Sequence, residues 1–95
     1  DLVIDREAYT VNRDGENIQL TLTEFNILST LASQPGRVLS RLQLLEATQD
    51  GTVYDGYERT VDTHIKNLRS KLEPDPKNPR YIETVFGVGY KFGKG

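Results

Sequence analysis

The stretch that decides the fold is Arg59-Thr60-Val61-Asp62-Thr63-His64-Ile65-Lys66-Asn67-Leu68-Arg69-Ser70-Lys71-Leu72. It holds neither Gly nor Pro, and it predicts a helix over about residues 58–72, closed by Glu73-Pro74-Asp75-Pro76. At about 100° per residue, Val61, Ile65, Leu68 and Leu72 fall within about 60° of one another. They make one narrow apolar stripe, which must face a core. Opposite the stripe lie Arg59, Thr63, Lys66, Asn67 and Ser70. That face has two cations, three hydrogen-bonding side chains and no carboxylate. Asp62 and Glu73 lie on one flank, His64 and Lys71 on the other. Asp62 is expected to pair with Lys66 one turn on, a contact worth about 0.2–0.5 kcal/mol.

A face of this kind suits a DNA major groove. Cations neutralise phosphates, while Asn, Ser and Thr reach base edges. The plainer reading is a solvated outer face, and the composition of the helix alone favours it. The surrounding elements reverse that preference. Before the helix, Leu2-Val3-Ile4 and the alternation around Tyr9 and Val11 predict short strands. Asp14-Gly15 predicts a hairpin turn, with Ile18, Leu20 and Leu22 alternating on the return strand. Thr21 and Glu24 fit a capping box ahead of Phe25, Leu28, Leu31 and Ala32, and Pro35-Gly36 stops that helix. Val38-Leu39 is a short extended link. Ser40 and Gln43 form a second capping box opening a short helix through Leu44, Leu45 and Ala47. Residues 49–57 are loop-like. After the third helix, Ile82–Val85 and Tyr90–Phe92 are strand-like and split by Gly87 and Gly89. The expected class is α+β: an N-terminal antiparallel sheet, three helices and a C-terminal β-hairpin, in the order of a winged helix-turn-helix.

Composition bounds the rest. Ninety-five residues, 36% hydrophobic and 27% charged, suit one domain with a modest core. With no Cys there are no disulfides or thiolate zinc sites, and a single His excludes multi-His metal sites. No cofactor is expected. No apolar run approaches a membrane span of about 18 residues, and the N-terminus lacks a signal-peptide pattern. The chain starts at Asp1 and holds no Met, which points to a piece of a longer protein. A net charge of −2 argues weakly against a nucleic-acid partner. The charge is uneven, however. Residues 1–56 carry four basic and nine acidic groups, residues 57–95 eight basic and five acidic, so an anionic partner should meet the C-terminal half. An enzyme is not expected. His64 has no nucleophile arrangement beside it, and Gly87-Val88-Gly89 opens no helix, so it reads as a tight turn and not a nucleotide loop.

The helix at 59–72 resembles the recognition helix of the OmpR/PhoB family of bacterial two-component response regulators. So do Asn78-Pro79-Arg80-Tyr81-Ile82-Glu83-Thr84-Val85 and Gly87-Val88-Gly89-Tyr90-Lys91-Phe92, as well as Leu22-Thr23-Glu24-Phe25 and Ser40-Arg41 with Leu44-Leu45. The resemblance runs through essentially the whole chain. It implies a C-terminal effector domain (residues 1–95) that binds promoter DNA, often in head-to-tail pairs on direct repeats, and controls transcription. The receiver domain with its phospho-accepting Asp, the target of a sensor kinase, would precede Asp1. A second protomer would join through the full-length protein, and the location would be the bacterial cytoplasm.

By this analogy the third helix enters the major groove through Arg59, Thr63, Lys66, Asn67 and Ser70, with phosphate contacts from His64 and Arg69. The hairpin becomes a wing near the minor groove, with Thr84 and Tyr90 at the backbone and Phe86 at the tip. The 49–57 loop corresponds to the segment some members use to touch RNA polymerase; the plainer reading is that Tyr54 and Tyr57 anchor that loop. Three positions depart from the family pattern. Phe86 stands where an Arg is common, so a minor-groove cation is missing; Phe86 is expected to pack at the hairpin tip, with insertion between bases as the alternative. Gln49 stands where a Trp is common, and Leu22 where a Pro is common. Together with the charge, these imply weak affinity for a single domain. The alternative reading is a winged-helix module for protein interaction without DNA binding.

Overall fold

The computed structural model describes residues 2–47 and 58–93, with side chains from residue 60 onward in the second segment. Three short strands open the chain: β1 (Leu2–Asp5), β2 (Thr10–Arg13) and β3 (Glu16–Ile18). They pair antiparallel in sequential order. The β2–β3 turn is Asp14-Gly15, both at positive φ (52° and 86°), as a two-residue turn matched to strand twist requires. β3 is shorter than the alternation predicted. It ends at Ile18, because Thr21 already begins the helix cap, and Leu22 occupies the first helical turn with 64% of its surface exposed.

Helix α1 (Leu22–Ala32) starts with the predicted capping box. Glu24 N–H donates to Thr21 Oγ1 (3.1 Å), and Thr21 N–H donates to Glu24 Oε1 (3.0 Å). Helix α2 (Arg41–Ala47) starts with the second, between Ser40 and Gln43 (2.7 and 3.1 Å). Helix α3 spans Glu58–Leu72, and the terminal hairpin comprises β4 (Ile82–Val85) and β5 (Gly89–Phe92).

The stripe read from the sequence is the centre of the core: Val61, Ile65, Leu68 and Leu72 are all buried. They pack with Phe25, Ile27, Leu28 and Leu31 of α1, Leu44 and Leu45 of α2, and Tyr81, Ile82 and Tyr90 of the hairpin. Val11 brings the N-terminal sheet onto the same cluster. Arg13 donates to the Leu72 carbonyl, satisfying an open acceptor where the α3 dipole is negative. Among the described residues, no helix is long and apolar enough to cross a membrane, and no group of three or more His, Cys, Asp or Glu could hold a metal ion.

Candidate nucleic-acid interface

Because the apolar stripe points inward, the opposite face of α3 points out. Thr63, Lys66, Asn67 and Ser70 are exposed, and His64 is half-buried at the edge. The Ser70 hydroxyl donates back to the Lys66 carbonyl (3.1 Å), a local bond that leaves its oxygen facing solvent. The side chain of Arg59 lies outside the described part.

The flanking carboxylates are turned away from this face. Asp62 does not pair with Lys66. Its Oδ2 meets Arg41 Nη1 at 3.0 Å and its Oδ1 accepts from the Tyr90 hydroxyl at 2.6 Å. The reason is tertiary. α2 and β5 bring a cation and a hydroxyl to the inner flank, where they compete with a surface partner on the same helix. Glu73 is buried just past the helix end. Its carboxylate accepts the backbone N–H groups of Arg80, Tyr81 and Ile82 at 2.8–3.1 Å. Lys71, on the other flank, is drawn to buried Glu24 (2.7 Å) and so ties α3 to α1. The outer face keeps Lys66 as a cation without a partner among the described residues.

Arg69 is committed inside the protein. Its guanidinium donates to the Ile82 carbonyl (3.1 and 2.8 Å) and to Thr84 Oγ1 (2.7 Å), and it lies 5.6 Å from the Tyr90 ring centroid. The Thr84 hydroxyl thus accepts from Arg69, and the Tyr90 hydroxyl donates to Asp62. Burial, then the bond to Asp62 and its charge, push the Tyr90 hydroxyl up to about 12. These three side chains fix the hairpin on α3.

The hairpin is fixed on its other edge too. Leu39 and Tyr90 exchange backbone hydrogen bonds (2.8 and 2.9 Å), so the link read as merely extended is a one-residue strand partner. Gly89 makes this approach possible: a Cβ there would lie 2.0 Å from the Leu39 carbonyl oxygen. At the tip, Val88 N–H donates to the Val85 carbonyl (3.0 Å), and Gly87 takes φ 79°. Phe86 does not pack there as expected. It is 91% exposed, because the tight turn aims its side chain away from both strands. Arg41, Asp62, Thr84, Phe86 and Gly89 border one cleft, so the tip stands beside the N-terminal half of α3.

Sequence reasoning missed Arg41, Glu73 and Lys71 as the residues that clear and orient this face. Their partners are 21, 7–9 and 47 positions away, so no local spacing signals them. Gln49, Tyr54, Tyr57 and the 49–57 loop lie outside the described residues.

Known proteins agree with this architecture. The family model described as "Transcriptional regulatory protein, C terminal" matches residues 15–92. The transcriptional regulatory protein AfsQ1 of Streptomyces coelicolor is 48% identical over 90 residues, covering 95% of this chain and 40% of the relative. The response regulator DrrB of Thermotoga maritima, an OmpR/PhoB homologue, superposes with a TM-score of 0.86 at 45% identity, covering 98% of this chain and 42% of that one. The RstA DNA-binding domain of Klebsiella pneumoniae, solved in complex with the RstA box, superposes with a TM-score of 0.86 at 38% identity, covering 97% and 90%. The chain thus spans about 40% of the length of the curated relatives it matches. With its winged-helix core and a family-model match over residues 15–92, this chain belongs to the family of C-terminal DNA-binding domains of OmpR/PhoB-type response regulators.

Proposed function

We propose that the chain binds promoter DNA sequence-specifically, as the effector domain of a bacterial two-component response regulator, and thereby controls transcription. The observation that carries this reading is the sorting of charge on α3. Asp62 and Glu73 are engaged by Arg41, Tyr90 and backbone N–H groups, while Lys66, Asn67, Thr63 and Ser70 face out. A polyanion approaching that face meets a cation and hydrogen-bonding groups, although the whole chain carries −2. The solved RstA complex with its DNA box supports the same reading.

In this account Thr63, Lys66, Asn67 and Ser70 meet the major groove together with Arg59, and His64 meets a phosphate at the edge. Arg69, Thr84 and Tyr90 are positioning residues that hold the wing. Phe86 is the wing's contact. A receiver domain N-terminal to the chain, phosphorylated by a sensor kinase, would pair two protomers on direct repeats in the bacterial cytoplasm. The 49–57 loop would face RNA polymerase. Selection of bound duplexes from random DNA tests the proposal. It should enrich one motif, and with the full-length protein two copies in the same orientation. Recovery of unenriched sequence would contradict it and favour a module that binds protein alone.

A further inference from the structure

The wing tip carries no charge. From Val85 to Tyr90 the sequence is Val-Phe-Gly-Val-Gly-Tyr. The cation that follows, Lys91, lies 3.9 Å from Glu83 on the facing strand. What the tip offers is apolar: Phe86 is 91% and Val88 58% exposed. An aromatic ring left this open on a tight turn contributes nothing to the core.

We propose that Phe86, flanked by Val88, is an apolar wedge that enters the DNA minor groove beside the α3 site and opens a base step there. The proposal rests on the DNA-binding reading above and deepens it. Three observations argue for the groove floor over the phosphate rail. First, a phosphate contact needs a cation or an N–H donor, and the Phe86 side chain has neither. Against a phosphate the ring would strip water from the anion and return nothing. Between sugars and base edges it meets apolar walls. Second, insertion needs a stiff support, because unstacking costs energy that a yielding hairpin would not sustain. This hairpin is held to α3 by Arg69 at Ile82 and Thr84 and by Tyr90 at Asp62. Leu39 holds its other edge, and Glu73 holds its root through Arg80, Tyr81 and Ile82. Third, the tip borders a cleft with Arg41 and Asp62, which sets it beside the N-terminal half of α3. With α3 in the major groove, an element at its flank meets the neighbouring minor groove.

The wedge predicts a distinctive combination: affinity from the tip that does not depend on salt, coupled to a bend. The test uses the 95-residue chain on one duplex selected from random DNA, reading affinity and salt slope by fluorescence anisotropy. The bend is read by energy transfer between the duplex ends. Phe86→Ala should weaken binding about tenfold (about 1.4 kcal/mol) with an unchanged salt slope and a smaller bend. Phe86→Leu, still an apolar wedge, should keep most of both. Phe86→Arg should lose the bend and steepen the slope by about one unit. Since Phe86 supports no core contact, thermal unfolding should be the same for all four proteins. Unchanged affinity and bend in Phe86→Ala would overturn the wedge and assign the tip to a protein partner, while salt-dependent binding by the parent chain would leave the DNA reading intact. Tighter binding by Phe86→Arg with the bend unaltered would overturn it in favour of a tip that only lines the groove. No salt-dependent binding by the parent chain would overturn both.

Discussion

Asn67 and Lys66 are neighbours on the exposed face of α3, yet their chemistry separates their expected roles. Asn67 offers an acceptor and a donor in one plane, which matches the N6 and N7 edge of adenine. Asn67→Ala should relax sequence preference more than it lowers affinity for random DNA, and equal losses on selected and random duplexes would count against a base contact. Glu24 illustrates a different use of a charged residue. Burial raises its carboxyl pKa, but the bonds from Lys71 and Thr21 and the Lys71 charge outweigh burial and hold it below its ordinary value of 4.5. A carboxyl depressed in the folded state gives stability that is complete above the unfolded value and is lost as pH falls through the folded one. Glu24→Gln should therefore flatten the acid side of the stability profile. At neutral pH it should cost about 1–2 kcal/mol through the weakened cap and the lost charge-assisted bond, measured by denaturant unfolding. The Thr21 partnership was legible from a three-residue spacing. The Lys71 partnership was not, because it joins residues 47 apart.

At the scale of elements, the wing is oriented by backbone approach and by one guanidinium. Gly89→Ala would place a methyl 2.0 Å from the Leu39 carbonyl oxygen. Backbone offers no rotamer escape, so β5 must leave Leu39, and a loss of about 2–3 kcal/mol is expected in unfolding measurements. An unchanged midpoint would mean that the Leu39–Tyr90 bridge contributes nothing. Arg69→Lys keeps the charge but loses the planar fork that reaches both Ile82 and Thr84. It should lower stability by about 1–2 kcal/mol while leaving the salt slope of DNA binding unchanged; a reduced slope would show that Arg69 touches phosphate. The elements themselves were largely written in the sequence: both capping boxes, the Asp14-Gly15 turn and the α3 stripe depend on neighbours within a turn or two. Leu22 misled because it fits the alternation of a strand while also following a cap, and the cap prevails by satisfying open helix N–H groups. Phe86 was expected to pack at the tip, but it is 91% exposed because a two-strand hairpin tip has no core to offer it.

Across the whole molecule, net charge is a poor guide to partner because folding redistributes it. The chain totals −2, yet the carboxylates flanking α3 are spent on Arg41, Tyr90 and the 80–82 backbone. The stripe and its opposite face were legible in the sequence, but not which carboxylates would be held by partners, since that depends on α2 and the hairpin arriving from far along the chain. In the DNA-binding reading, the cleared face of α3 binds DNA electrostatically through Lys66. The most direct test of that reading is a salt titration of binding to random duplex by the parent chain and Lys66→Ala. Log affinity should fall linearly with log salt, and Lys66→Ala should weaken binding and reduce the slope by about one unit. A flat salt dependence, or a slope identical in the two proteins, would contradict it.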